Sequence, residues 1–149
     1  MATVVRSSRL TAPADAVWNR VVTPAGINDE FWPWLTMSMP KGSDGLSIDT
    51  LDLGRPLGRA WIRLFGILPV DYDDLTIAEL EPGRRFLERS RLFSASRWQH
   101  ERTVEPIDAR TCRVTDRLEF TPRRGFVIGP VLIALIFRYR HWRLRRRFG

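Results

Sequence analysis

The feature that most restricts the fold of this chain is a run of strand-like stretches joined by short links and followed by one long helical segment. Residues 59–68, 75–81, 85–92, 96–105 and 110–121 have strand composition, and the links between them carry Pro, Gly, Asp and Ser. Links this short join antiparallel neighbours, because a parallel pair needs a crossover of a dozen residues or more. Residues 3–10 read as an earlier strand, rich in Val, Ser and Thr. Pro13 and Asp15 suit the first turn of a helix whose apolar stripe is Ala14, Val17, Trp18 and Val21. Thr23-Pro24-Ala25-Gly26 ends that helix and starts a second short one reaching Trp34, and residues 35–39 form a short strand. Residues 40–58 read as a loop, either a lid or a plain surface connection. The order is therefore strand, two helices, six strands and a long helix, an α+β arrangement.

The closing segment has its own character. Residues 123–149 carry eight Arg and no Asp or Glu, a net charge of +8, whereas residues 1–122 carry a net charge of −1. The apolar stretch 127–137 contains Gly129 and Pro130 and is far shorter than the ~20 residues a bilayer span needs. The whole chain's length of 149 residues fits one domain, 1–149. The single cysteine, Cys112, excludes an internal disulfide. No secretory signal is visible at the N-terminus, so a cytoplasmic location is expected.

Three passages support a resemblance. Leu10-Thr11-Ala12-Pro13-Ala14-Asp15-Ala16-Val17-Trp18, Ala78-Glu79-Leu80-Glu81-Pro82-Gly83-Arg84 and Arg113-Val114-Thr115-Asp116-Arg117-Leu118-Glu119-Phe120 look like the first strand–helix junction, the central hairpin and the last strand of the START-like helix-grip (SRPBCC) superfamily. Within it, the chain is similar to the polyketide cyclase/dehydrase-like proteins. The resemblance implies a seven-stranded antiparallel sheet curved around the C-terminal helix, with two short helices after the first strand. It also implies a cavity between sheet and helix that takes an apolar or amphipathic small molecule such as a lipid or polyketide. The superfamily has no universal catalytic motif, so no catalytic residue is carried over.

Strand alternation places candidate residues on one face. In the last strand Cys112, Val114, Leu118 and Phe120 share a face with Asp116. Trp98 and Val104 share parity with His100 and Arg102, and Phe86 and Leu92 share parity with Glu88 and Ser90. A three-residue turn at 94–96 sets Ser90 opposite His100 and Glu88 opposite Arg102, and the next register sets His100 opposite Asp116. Glu88, His100, Arg102 and Asp116 then form one inward polar patch. One reading is an ionic cluster that satisfies only itself, as buried charges must. Another is the polar end of a ligand pocket, with Ser90 and Trp98 beside it. A third is acid–base catalysis by His100 steered by Asp116. On the closing helix Ile128, Leu132, Leu135, Tyr139 and Trp142 recur at helical spacing and are expected to face the sheet, which adds Leu132, Leu135 and Tyr139 to the ligand candidates. His141 falls off that stripe and reads as a surface residue.

Other signals are weaker. Asp71, Asp73 and Asp74 read as a turn, because the Gly and spacing of a Ca²⁺ loop are missing. Two His and one Cys make no metal pattern, no Gly-rich phosphate loop exists, and neither metal nor cofactor is expected. Arg138, Arg140, Trp142, Arg143, Arg145, Arg146 and Arg147 are candidates for an anionic or membrane surface, or simply a solvated helix end. The near-neutral remainder argues against nucleic acid. A monomer and a homodimer are both compatible with the sequence.

Overall fold

The structure, a computed structural model, describes residues 1–40, 48–126 and 129–149. Eight strand segments and three α-helices follow the order β1 (Ala2–Leu10), α1 (Ala14–Val21), α2 (Pro24–Phe31), β2 (Leu35–Met37), β3 (Gly58–Leu64), β4 (Leu68–Leu75), β5 (Ile77–Glu81), β6 (Arg85–Leu92), β7 (Ala95–Pro106), β8 (Cys112–Pro122) and α3 (Gly129–Phe148). The sheet runs β1-β8-β7-β6-β4-β3-β2, antiparallel throughout, with β5 also on β6. β4 and β5 behave as one bent strand. The pairs Asp74↔Arg91 and Ile77↔Glu88 keep one register across Thr76, and the bulge comes only between Ile77 and Glu79. Eight segments thus fill seven sheet positions, curled as the helix-grip resemblance implies.

Residues 69–74 are not the expected link. They belong to β4, which pairs with β3, and the chain reverses earlier. Phe65 and Gly66 have φ of 53° and 74°, and the Ile67 amide donates to the Leu64 carbonyl at 3.1 Å. Two successive positive φ values make the tight turn that matches strand twist. A Phe in that conformation gives no turn signal in sequence, whereas three Asp do. Those aspartates find tertiary partners instead. Asp74 pairs with Arg59, and Asp71 accepts hydrogen bonds from the Ser94 amide and hydroxyl.

The two short helices form as expected, with shifted ends. Thr23 caps α2 by accepting the Gly26 amide at 3.0 Å, and Pro24 fills its first turn. α2 stops at Phe31 rather than Trp34. The described part of the 40–58 stretch is no loose surface loop. Ile48 and Leu51 are buried, and the amides of Ile48, Gly54 and Leu57 donate to the carbonyls of Val22, Ile77 and Leu75. Residues 41–47 of that stretch lie outside the described residues.

α3 packs against β1, β8 and α2, but it is turned over relative to the expected orientation. Phe137, Arg140, His141 and Leu144 are buried, with Ile133 and Ile136 partly so. Leu132 and Leu135 are 50% and 55% exposed, and Trp142 is also exposed. Ile128, the first member of the expected stripe, lies outside the described residues. The helix has apolar residues on both faces, so the moment does not choose between them. The choice is made by Arg140 and His141, which belong to the buried face because buried carboxylates wait there.

Candidate functional site

Alternation along β6, β7 and β8 sends Glu88, Ser90, Trp98, His100, Arg102 and Asp116 inward, and all six are buried. The pairings differ from expectation by two residues. Glu88 is opposite His100, Ser90 opposite Trp98, and Arg102 opposite Asp116. The β6–β7 link is only Phe93-Ser94. A shift of two preserves the inward face, so the same residues still meet.

Asp116 is the hub. Its Oδ1 accepts from Arg102 Nε and His100 Nε2, and its Oδ2 accepts from Arg102 Nη2 and His141 Nε2, all at 2.7 Å. An ionised carboxylate only accepts, so both imidazoles carry their proton on Nε2. His141 Nδ1 then accepts from the Ser8 hydroxyl at 2.7 Å, which in turn accepts from Arg145. Arg102 turns its other edge to Glu30, with both bonds at 2.8 Å, and Arg140 donates to Glu30 at 3.0 Å. His141 is therefore fully buried in the core rather than at the surface, and Arg140 is a buried partner rather than a surface cation. Burial opposes ionisation of Asp116. The charge and hydrogen bonds of Arg102, aided by both histidines, outweigh it and hold the carboxyl well below its ordinary range. Glu30 is lowered in the same way by Arg102 and Arg140 against the cost of burial. Burial pulls Arg140 down, and Glu30 resists. This half of the cluster is fully paired and ties β1, β7, β8, α2 and α3 together.

The other half is an acid pair. Asp73 on β4 faces Glu88 and Ser90. Asp73 Oδ1 and Glu88 Oε2 are buried and receive no other side-chain or amide donor, and a proton kept on Asp73 lets the two carboxyls hydrogen-bond each other. Burial, then the charge of Glu88, push the Asp73 carboxyl well above its ordinary range. His100, held by Asp116, presents Nδ1 to Glu88 Oε1 at 3.9 Å, beyond hydrogen-bond reach. Its ring stands edge-on between Phe86 and Phe137. Buried polar atoms are nearly always bonded, and a proton shared between these two carboxyls meets that need. A groove of about 660 Å³ opens at Ser90, where β6 parts from β7 to join β4, and neither carboxyl is in its lining. Thr76, Ser90, Trp98 and Gln99 line it together with Arg89, Arg91 and Arg97.

Three sequence candidates on α3 sit elsewhere. Leu132 and Leu135 face outward, and Tyr139 donates its hydroxyl to the Trp32 carbonyl. Phe137 occupies the sheet-facing side, against Leu92, Trp98, Leu118 and Phe120. The basic tip is also largely engaged. Arg143 and Arg147 reach Asp29 at 3.1 and 3.8 Å, and Arg145 donates to Ser8. Among the described residues only Arg138 and Arg146 of that set lack an acidic or hydroxyl partner, and Arg146 lies over the Trp142 ring at 5.1 Å.

Sequence reasoning missed Ser8, Glu30, Asp73, Arg140 and His141. Glu30 had a signal, since it falls three residues after Ile27 on the buried side of α2. Arg140 and His141 had one too, at helical spacing between Phe137 and Leu144. Asp73 was legible only once residues 69–74 were seen as a strand.

A family model described as a domain of unknown function matches residues 8–148. No curated protein matches the chain. Solved structures do match. Protein CV1439 from Chromobacterium violaceum superposes with a TM-score of 0.76 at 17% identity, covering 99% of this chain and 98% of that one. A START superfamily protein from Mycobacterium smegmatis gives 0.70 at 8% identity, covering 99% and 97%. The Zhui aromatase/cyclase from a Streptomyces species gives 0.63 at 15% identity, covering 97% and 92%. At these identities the likeness establishes the START-like helix-grip fold.

Proposed function

The chain belongs to the family described as Domain of unknown function (DUF8410), and from that membership and its helix-grip fold we propose that it binds a small apolar or amphipathic molecule. The carrying observation is a groove of about 660 Å³ lined by Ser90 and Trp98, two residues that share the inward face with the buried Asp73–Glu88 acid pair. Ligand sites of this kind combine apolar walls with a few fixed polar groups, in volumes of about 300–1,000 Å³. Trp98 supplies the wall. Thr76, Ser90 and Gln99 supply polar contacts to hydroxyl, carbonyl or amine groups of the ligand, and the Asp73–Glu88 acid pair stands behind Ser90. The paired half, from Asp116 to Arg140, holds His100 and the strands in place. The name of one fold neighbour, an aromatase/cyclase, supports a polyketide-like ligand, and a lipid-like one is the alternative.

The test is native mass spectrometry of freshly purified protein, extraction of any bound compound, and titration with a panel of aromatic polyketides and lysolipids. A discrete bound mass, or a panel member whose affinity drops in Ser90→Ala and Trp98→Leu, is the expected result. No bound mass and no panel binding, or binding indifferent to both substitutions, overturns the reading. A second reading, an acid–base enzyme, is favoured by one observation: Asp116 fixes the proton of His100 on Nε2 and leaves Nδ1 without a hydrogen bond. His100→Ala then abolishes turnover while binding persists.

A further inference from the structure

α3 carries two apolar faces, and the sheet covers only one. The uncovered face presents Val131, Leu132, Leu135, Tyr139 and Trp142 at helical spacing, with Arg138 and Arg146 among them and no acid. It does not stand alone. The Tyr139 ring lies 5.6 Å from Trp142 and its hydroxyl bonds the Trp32 carbonyl. Two residues on, Trp34 meets Phe65 at 6.0 Å, at the tip of the β3–β4 hairpin. That tip ends in Ile67, 81% exposed, and Leu68, 57% exposed. A groove of about 500 Å³ between β1 and α3 continues the surface, with Val4, Arg6, Leu135 and Arg138 in its lining.

A connected apolar surface on this scale marks an interaction site. Its chemistry selects the occupant. Trp and Tyr rings interleaved with Arg are the composition that settles at the boundary between lipid headgroups and acyl chains. A second copy laid on the same face in two-fold symmetry gathers Arg138 and Arg146 of both copies in one interface, with no carboxylate among the described residues of the patch to offset them. No helix among the described residues is long and apolar enough to cross a membrane, so the contact is peripheral.

We propose that this aromatic face is a docking surface for an anionic lipid bilayer, with the Phe65–Leu68 hairpin tip entering the headgroup layer and Arg138 and Arg146 meeting lipid phosphates. The surface is separate from the Ser90–Trp98 groove, so this proposal and ligand binding fail independently. The experiment is co-sedimentation of the full chain with vesicles of phosphatidylcholine alone and of equal parts phosphatidylcholine and phosphatidylglycerol, at low and high salt. Binding is expected only to the anionic vesicles, weakening with salt. Ile67→Asp and Leu135→Asp, on separate elements, each reduce it by more than about tenfold, so one folded variant suffices. Arg138→Glu with Arg146→Glu reduces it by about 25-fold or more, taking about fivefold per basic residue. Melting temperatures identify the folded variants. The proposal is overturned by no sedimentation with either vesicle, by equal binding to phosphatidylcholine alone, or by binding that survives the substitutions. A concentration-dependent dimer lost in Ile67→Asp, without vesicle binding, assigns the face to a second copy instead.

Discussion

Replacing Arg102 by Met tests whether the charged cluster is structural. Arg102 is 1% exposed and makes four charge-assisted bonds, two to Asp116 and two to Glu30. Met occupies similar space, so loss of packing is a small part of the effect. What remains is two buried carboxylates stripped of their main cation. Asp116 keeps His100 and His141, and Glu30 keeps Arg140. Breaking a buried pair from one side costs about 3–5 kcal/mol. We expect about 4 kcal/mol here, because the remaining partners compensate only in part. At this chain length that corresponds to a fall in melting temperature of about 8–16 °C. The pH dependence gives a second reading of the same cause. The folded pKa values of Asp116 and Glu30 are depressed, so their stabilisation is present above the ordinary carboxylate range and is lost as pH falls through the folded values. Arg102→Met removes much of that depression. Urea denaturation curves of the two proteins should therefore differ most near neutral pH and converge in acid. A loss below about 1 kcal/mol near neutrality, or a gap that widens in acid, refutes the reasoning.

Four further outcomes follow from the same geometry. Asp73 has a raised folded pKa, so it stabilises the fold only below its ordinary range and costs stability as pH rises through the folded value. Asp73→Asn should raise the neutral-pH melting temperature and flatten the fall in stability above about pH 4, read by thermal melts across pH. Leu144→Ala should cost about 2–5 kcal/mol in chemical denaturation and Leu135→Ala no more than about 0.5, because one is buried and the other exposed. A Cβ on Gly26 would stand 1.8 Å from the Arg20 carbonyl oxygen, so Gly26→Ala should open the α1–α2 corner and cost up to about 3 kcal/mol by the same assay. Gly66→Ala meets no crowding but sits at φ +74°, and should cost about 1–2 kcal/mol by loosening the β3–β4 turn, visible as faster amide exchange at Ile67.

The legible parts of the fold were those written in local patterns. The α1 stripe of Val17, Trp18 and Val21, the Thr23–Pro24 start of α2 and the alternation of β6 to β8 all repeat at the period of their element. The inward position of Glu88, His100, Arg102 and Asp116 came from that alternation alone. The β3–β4 turn was illegible because Phe65 stands where glycine or asparagine would have signalled it. The buried face of α3 was harder to read, because an arginine and a histidine stand between Phe137 and Leu144 and only their spacing marks them as inward.

The sequence by itself determined which side chains share a strand face, since parity survives a shift of two residues, and that one long helix must close a sheet of short-linked strands. Only the tertiary structure decided which face of that helix goes in. Val131, Leu132, Leu135 and Trp142 on one side and Ile133, Phe137 and Leu144 on the other are all apolar, so hydrophobicity alone does not single out either face. Asp116 and Glu30, contributed from β8 and α2, cannot be buried without cations and donors. The orientation that supplies Arg140 and His141 satisfies both, and it leaves the aromatic face of α3 exposed.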